Sequence, residues 1–516
     1  MLAWFLQSRP LIVYIAPFIL GGVSILGFQP FNFTLINFIT LPCLFLLLGF
    51  VRKKSVSTYR KRPFLKNFFI IGYFFGIGFF LFGNYWISNS LTFDENLKFL
   101  VPISFFSIPL YFGLFYGIAC LIIGPYIKNN ISSLFYFCAI LAFFDFIRGK
   151  ILPGFPWNFW AYSWSWFTEI LQILNFIGLF AFNFLVIFLF TLPSIIFLKN
   201  VNSKLILSFA ILTFFFTYVF GSSEINKNVK NISSQDKINV KIISPSLPLK
   251  YGANDEEVIE LAQKLVRYSE PKKNLETLFI WPEGVFAGKY LSELDVVKKI
   301  FSKNFSDKHT IIFGVNTKSK DSEKIFNSFV AVNNKFEVLY KYDKNKLVPF
   351  GEYLPLEELA TKIGLKKITF GYQSFSEGLN IGNMNYKDWM IKPSICYEII
   401  FTEIYQKSNL DNSFIVNISE DVWFGISIGP YQHFTKSIFR AVETNSFVIR
   451  SANRGISSFI SNKGQIIKSL QPDEVGSIEF DVPKIKKKHQ NKNDLIFFIL
   501  LITSIIIFIF LRKHEK

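Results

Sequence analysis

Pro393-Ser394-Ile395-Cys396-Tyr397-Glu398-Ile399-Ile400-Phe401 is the stretch on which the reading of this chain turns. An apolar run leads into a cysteine, and a carboxylate stands two residues further along, past Tyr397. That pattern suits a strand ending at a turn, where a side chain is presented to a pocket. Cys396 is the only cysteine in the polar part of the chain, since Cys43, Cys120 and Cys138 lie inside long apolar runs. A thiol without an intramolecular partner is either packing or a nucleophile. The rest of the chain decides between the two.

The 516 residues include 65 phenylalanines and carry a net charge of +18, and the mean hydropathy is +0.34. Such a chain is too apolar for a soluble protein of its size. Many of its lysines and arginines flank apolar segments in short runs, a placement that fits membrane topology and argues against a nucleic-acid partner. Four cysteines, mostly intramembrane, give neither a disulfide framework nor zinc spacing, and His309, His433, His489 and His514 form no metal motif.

Apolar runs fall at about 11–28, 34–51, 67–83, 101–127, 131–147, 171–198, 204–220 and 495–511. Each approaches or exceeds the ~20 residues that span a bilayer core, and such segments must be helical to satisfy their backbones. The first run has no small-residue cleavage site ahead of a polar domain, so it is read as a retained helix. About eight transmembrane helices are expected. The membrane domain would cover 1–221, an extramembrane domain 222–493, and a last helix with its tail 494–516. The loop carrying Arg52, Lys53, Lys54, Arg60, Lys61, Arg62 and Lys66 is the most basic short loop and should be cytoplasmic. Alternation puts Lys128, the Lys199/Lys204 loop and Arg512-Lys513 on that side, and the 222–493 domain opposite. Lys484 and Lys486 to Lys488 run against this assignment, but charges in long translocated domains count for little, and these lysines suit anionic headgroups.

Two features of the helical part exceed apolar filler. Asp145 and Arg148 form an acid–base pair at a membrane edge, which suits either a structural role or a lipid headgroup site. Trp157, in Gly154-Phe155-Pro156-Trp157, and Trp86 read as interfacial anchors, and Gly72, Gly76 and Gly78 as close helix packing.

The 222–493 segment changes texture. Strands are expected at Lys237–Ile243, Thr277–Trp281, Thr310–Gly314, Trp389–Ile395, Ser413–Ile418, Phe447–Ser451 and Ile456–Ser461, with a hairpin pairing Asn327–Asn333 and Phe336–Tyr342. Helices fit Asp255–Tyr268, Leu354–Ile363 and Tyr431–Asn445. Mixed strands and helices indicate a layered α/β domain. Three sites then fall at strand ends: Trp281-Pro282-Glu283, the Tyr342–Tyr353 loop with Lys344, Lys346 and Glu352, and Cys396-Tyr397-Glu398. A thiol attacks as thiolate, so a carboxylate can take its proton, better if burial raises its pKa. A lysine cation can hold the oxyanion of a tetrahedral intermediate. The residues license thiol-based acyl transfer or hydrolysis.

The order Glu, Lys, Cys resembles the nitrilase superfamily. The strings Tyr342-x-Lys344-x-x-Leu347-Val348-Pro349-Phe350-Gly351-Glu352, Asn417-x-Ser419-x-Asp421-x-Trp423-Phe424-Gly425 and Arg450-Ser451-x-Asn453-x-Gly455 resemble the apolipoprotein N-acyltransferases, its membrane-embedded branch. The resemblance covers nearly the whole chain and implies a polytopic helical domain plus an extracytoplasmic αββα sandwich. It implies Glu283 as general base, Lys344 as oxyanion-stabilising lysine and Cys396 as nucleophile. Lys344 is preferred to Lys346 because the family lysine stands three residues before the leucine, here Leu347. Glu352 and Glu398 would be accessory acids, and Tyr397, Trp423 and Trp157 would line a pocket. No metal or cofactor is implied. The implied reaction moves a fatty acyl chain from a phospholipid, through a Cys396 thioester, to the α-amino group of diacylglyceryl-modified apolipoproteins. The implied setting is a monomer in the bacterial inner membrane, among membrane lipids, with its catalytic domain in the periplasm. The chain departs from the family at Ser244–Pro248, Tyr251, Arg454 and Asp145. The rival readings are a membrane-tethered amidase and a catalytically inert lipid-binding or transport protein.

Overall fold

A computed structural model describes residues 8–58, 63–151, 154–198, 202–232, 236–319, 322–355, 374–380, 382–406, 413–485 and 494–514. The chain divides into two compact units, Met1–Ser223 with Lys492–Lys516, and Glu224–Asn491.

The first unit is helical. Seven helices among the described residues are long and apolar enough to cross a bilayer: Thr34–Ser55, Leu65–Phe93, Glu95–Ile123, Ile131–Lys150, Leu174–Phe197, Ser203–Lys227 and Leu495–His514. The eighth expected span is corrected. Leu11–Gly27 is a shorter apolar helix, which stops where Phe28 takes an extended backbone. The glycines permit close packing, since a Cβ at Gly72 would run into the carbonyl oxygen of Tyr116 and one at Gly78 into that of Phe18. Trp157 and Trp86 are buried against each other at 4.9 Å, with Phe155 stacked on Trp157 at 5.9 Å, so they are core rather than exposed anchors.

Asp145 and Arg148 are also buried. Arg148 donates to Asp145 Oδ1 at 2.9 Å and to the Phe155 carbonyl at 2.6 Å, and its guanidinium lies between the rings of Phe80 and Phe159. Asn183 donates to Asp145 Oδ2 at 3.0 Å and accepts from the Ala161 amide at 3.0 Å. The pair thus ties the irregular 155–161 stretch to two helices. Removing one member strands a buried charge, so Asp145→Ala is expected to cost about 3–5 kcal/mol, and Asp145→Asn less. Melting temperatures of the purified protein in detergent check this.

Among the described residues the second unit holds twelve strands: β1 (Lys237–Ser244), β2 (Thr277–Ile280), β3 (His309–Lys318), β4 (Ile325–Val332), β5 (Val338–Asp343), β6 (Met384–Tyr386), β7 (Trp389–Ile395), β8 (Ser413–Glu420), β9 (Val448–Asn453), β10 (Ser457–Ile460), β11 (Ile466–Leu470) and β12 (Gly476–Pro483). They form two six-stranded sheets, ordered β12-β1-β2-β3-β4-β5 and β11-β10-β9-β8-β7-β6. Successive side chains of a strand point to opposite faces. Ile242, Leu278, Ile280 and Ile312 join Ile391, Ile395, Val416, Ile418 and Ile449 in the core shared by both sheets. Their neighbours Ile243, Phe279, Trp281, Ile311 and Phe313 turn outward, under the helices Asp255–Ser269 and Lys298–Asn304. Burial on both faces explains why these strands read as continuous apolar runs. The helix Gly429–Thr444 packs on β9 and β10 and completes the αββα order.

Strands β1–β3 run parallel, as do β7–β9, and β5 shares the direction of β3 because β4 is antiparallel to both. The carboxyl ends of β2, β3 and β5 therefore share one rim of the first sheet, and those of β7, β8 and β9 one rim of the second. The expected helix Leu354–Ile363 falls mostly on 356–373, and Lys486–Lys488 on 486–493, outside the described residues.

Candidate active site

Glu283 follows β2, Lys344 follows β5 and Cys396 follows β7, so strand register brings the three side chains to one place. Trp281 continues the β2–β3 ladder, its amide donating to the Ile312 carbonyl at 2.8 Å. Gly314 then passes so close that a Cβ there would meet the Glu283 Cα at 2.7 Å, so only glycine lets Glu283 seat itself. Ser328 pairs with Asp343, which sets Asn327 beside Lys344, whose amide donates to the Asn327 carbonyl at 2.9 Å.

The Asn327 side chain joins the two acids. Its Nδ2 donates to Glu283 Oε1 at 2.7 Å and to Glu352 Oε1 at 2.8 Å. Lys344, 1% exposed, donates to Glu352 Oε1 at 2.9 Å and lies 3.7 Å from Glu283 Oε1. Glu352 Oε2 accepts from the Val348 amide at 2.8 Å, which closes the loop back on the lysine. Lys346 faces elsewhere, 3.8 Å from Glu403 and over the Phe401 ring.

Cys396 is half-buried and opens the short turn Cys396–Ile400 with φ +46°, a left-handed backbone that costs a non-glycine residue about 1–2 kcal/mol. Glu398, fully buried, supports it. Its Oε2 accepts from the Ile395 amide at 2.8 Å, and its Oε1 from Tyr342 Oη at 2.8 Å and the Asn345 amide at 2.6 Å. Through these bonds Glu398 fastens the thiol's turn to the lysine loop. Tyr397 is buried edge-on to Phe401, and Trp423 is half-buried in the turn Asp421–Phe424 that follows β8. Trp157, Asp145 and Arg148 belong to the helical unit.

Burial pushes Glu283 above the usual carboxylate range, Lys344 pulls it back, and Glu352 adds to the rise. Burial opposes the charge on Lys344, but Glu352 and Glu283 outweigh it and hold the proton on the amine. Burial, with Glu283 and Asp421, pushes the Cys396 thiol up against Lys344 and the Ser419 hydroxyl. These shifts favour a neutral thiol at Cys396 and a more basic carboxylate at Glu283, an arrangement that suits proton removal during attack, which is general-base catalysis.

Sequence reasoning assigned no role to several buried residues here. Glu420, at the end of β8, donates its amide to Glu283 Oε2 at 2.9 Å. Its carboxyl is held by Asn453 Nδ2 at 3.0 Å, as the pairing of Glu420 with Asn453 dictates. Burial drives that carboxyl far up, Asn453 draws it back, and Glu283 adds to the rise. Tyr251 stands near enough to feel both acids. Asp421, His433 and Cys396 offer ligand atoms within 4.8 Å of one another. Arg450 lies 2.7 Å from Asp421 Oδ2, and Ser419 donates to Asp421 Oδ1 at 2.6 Å, so the donor set fits a hydrogen-bond network better than a cation.

Residues 258–488 match the carbon–nitrogen hydrolase family, and residues 20–192 match the apolipoprotein N-acyltransferase N-terminal domain. Saccharomyces cerevisiae Nit3, a member of branch 10 of the nitrilase superfamily, covers 48% of this chain and 90% of its own at 15% identity, with a TM-score of 0.36. The class is therefore a membrane acyltransferase built on a carbon–nitrogen hydrolase domain. A Rickettsia typhi protein named apolipoprotein N-acyltransferase is 31% identical over 477 residues, 90% of this chain and 91% of the relative. One of that name from Rickettsia prowazekii is 32% identical over 421 residues, 80% and 83% of the two chains. The chain belongs to the apolipoprotein N-acyltransferase family.

Proposed function

We propose that this enzyme moves a fatty acyl chain from a membrane phospholipid to the α-amino group of diacylglyceryl-cysteine at the start of apolipoproteins. The observation that carries the reading is the convergence of the buried Glu283 and Lys344 on the half-buried Cys396. Glu283 takes the proton from Cys396 Sγ as the sulfur attacks the phospholipid ester carbonyl. Lys344 holds the negative oxygen that forms. Collapse releases the lysophospholipid, whose alkoxide recovers the proton from Glu283, and leaves a thioester. The acceptor amine then attacks and Glu283 takes its proton; collapse breaks the C–S bond, and the Cys396 thiolate that leaves regains that proton from Glu283. Glu352 keeps Lys344 charged and aimed. No cofactor enters these steps.

Lipid substrates fit the surroundings. Phe350, on the loop from Lys344, and Ile426, just past Trp423, are 50% and 96% exposed. Such apolar side chains beside a polar site suit acyl chains. We place the protein in the bacterial inner membrane, with the Glu224–Asn491 unit on the periplasmic side and acting as a monomer. Supporting this orientation, Arg52 donates to the Ile127 carbonyl at 2.6 Å and Arg512 lies over the Tyr126 ring, so basic segments gather at one end of the helical unit.

Purified protein incubated in detergent with phospholipid alone is expected to gain one fatty-acyl mass. The adduct should be sensitive to hydroxylamine and map to the peptide containing Cys396. Absence of both the adduct and lysophospholipid would refute the phospholipid donor and favour a hydrolytic amidase.

A further inference from the structure

The thiol has a second side. Glu283 and Lys344 approach Cys396 from the first sheet, while a buried polar chain from β8, β9 and the Gly429–Thr444 helix meets its backbone. His433 Nε2 lies 3.2 Å from the Cys396 carbonyl oxygen. A carbonyl only accepts, so Nε2 carries the hydrogen. Nδ1 lies 3.1 Å from Arg450 Nη2 and 3.0 Å from Asp421 Oδ1. Arg450 reaches Asp421 Oδ2 at 2.7 Å and also binds the Asn417 side chain, its partner in the β8–β9 register. Ser419 closes the chain, donating to Asp421 Oδ1 at 2.6 Å, and the pairing of Ile395 with Ile418 sets it beside Cys396. His433, Asp421, Arg450 and Ser419 are all buried. The groups facing the imidazole are Asp421, Arg450, Lys436 and Cys396, with the Phe424 ring at 5.4 Å. Burial and Arg450 disfavour its charged form, so the neutral ring accepts from Arg450 at Nδ1 and donates at Nε2.

We propose that His433, oriented by Arg450, which Asp421 keeps in place, is a positioning residue that holds the Cys396 carbonyl and so fixes the left-handed turn aiming the thiol at Glu283 and Lys344. The left-handed backbone needs such over-determination. Glu398 fastens the residue before Cys396 and His433 fastens its carbonyl, so the nucleophile is gripped on both sides. The proposal rests on the reading of Cys396 as the acylated residue.

The test separates the two ring nitrogens. In His433→Asn the amide occupies the place of Nδ1 and cannot reach the Cys396 carbonyl. In His433→Gln an amide N–H lies where Nε2 was. Full-length protein in detergent is assayed twice: for iodoacetamide alkylation of Cys396, read by peptide mass spectrometry, and for lysophospholipid release from mixed phosphatidylethanolamine and phosphatidylglycerol. Misplacing a reacting atom by about 1 Å costs on the order of 100-fold, so His433→Asn is expected to lose about that in both rates, with KM for phospholipid unchanged. His433→Gln is expected to stay within about tenfold of wild type. Equal rates for the two variants, or a loss confined to KM, would overturn the proposal. If His433→Asn is not recovered folded, His433→Met, which has similar length and no donor, replaces it in the same comparison. Wild-type protein that is alkylated at Cys396 but releases no lysophospholipid would count against the functional reading, while the alkylation rates would still decide the positioning role.

Discussion

Lys344→Met is expected to lower acyl-enzyme formation by about a thousandfold and to destabilise the catalytic unit. The lysine has two kinds of work. In the proposed mechanism its ammonium holds the oxyanion, and losing one such donor costs about 100- to 1000-fold. It also neutralises Glu283 and Glu352, which lie 3.7 and 2.9 Å away and are joined through Asn327. With a thioether in its place, two buried carboxyls share one amide and no cation. One of them would have to take up a proton at neutral pH. Proton capture by Glu283 removes the base, so the variant loses both the oxyanion partner and the proton acceptor. Breaking a buried ion pair costs about 3–5 kcal/mol. Burst kinetics of lysophospholipid release and detergent melting curves measure the two effects. Lys346→Met, by contrast, removes a partly exposed contact to Glu403 and should leave both close to wild type.

This asymmetry between two lysines two residues apart was legible only through the motif; hydropathy and spacing alone leave them equivalent. What composition and pattern do reveal is whatever is buried on both faces. Leu278–Trp281, Ile311–Phe313 and Ile415–Ile418 read as strands because core and helices cover them from either side. Met384–Tyr386, Ile466–Leu470 and Gly476–Pro483 went unread. β6 and β11 lie at sheet edges and β12 closes the first sheet, and β11 and β12 are too exposed to show an apolar stripe. The site divides in the same way. Glu283, Lys344 and Cys396 stand just beyond strand ends, where a polar residue after an apolar run is visible. Asn327, Glu420, His433 and Arg450 gain their places from cross-strand register and helix packing, which no local window contains. Glu398 was visible as an acid beside the thiol, but the direction of its oxygens, toward the amides of Ile395 and Asn345, was not.

Glu283→Gln is expected to slow thioester formation by about a thousandfold near neutral pH, within the range that a general base contributes. The geometry also makes the change imperfect as an isostere. Oε1 accepts from Asn327 Nδ2 and Oε2 from the Glu420 amide, so the new amide must set a donor against a donor on one side. That loss, about 1–3 kcal/mol, opposes the gain from no longer ionising a buried acid whose folded pKa lies above its unfolded one. The melting temperature should therefore move little while the rate collapses. The pH dependence carries the sharper test. With Glu283 as the proposed base, wild-type activity is expected to fall as pH drops through a pKa above the usual carboxylate range. In the variant no base remains, and the rate follows the thiolate fraction of Cys396. Burial and the charge of Asp421 still hold that thiol up, so reactivity returns only as pH rises well into the alkaline range. Alkylation of Cys396 measured across pH should show the limb moving to the alkaline side on substitution. A variant that keeps the wild-type limb would remove Glu283 from the role of base and leave Glu420, the adjoining buried carboxyl, as the group to test next.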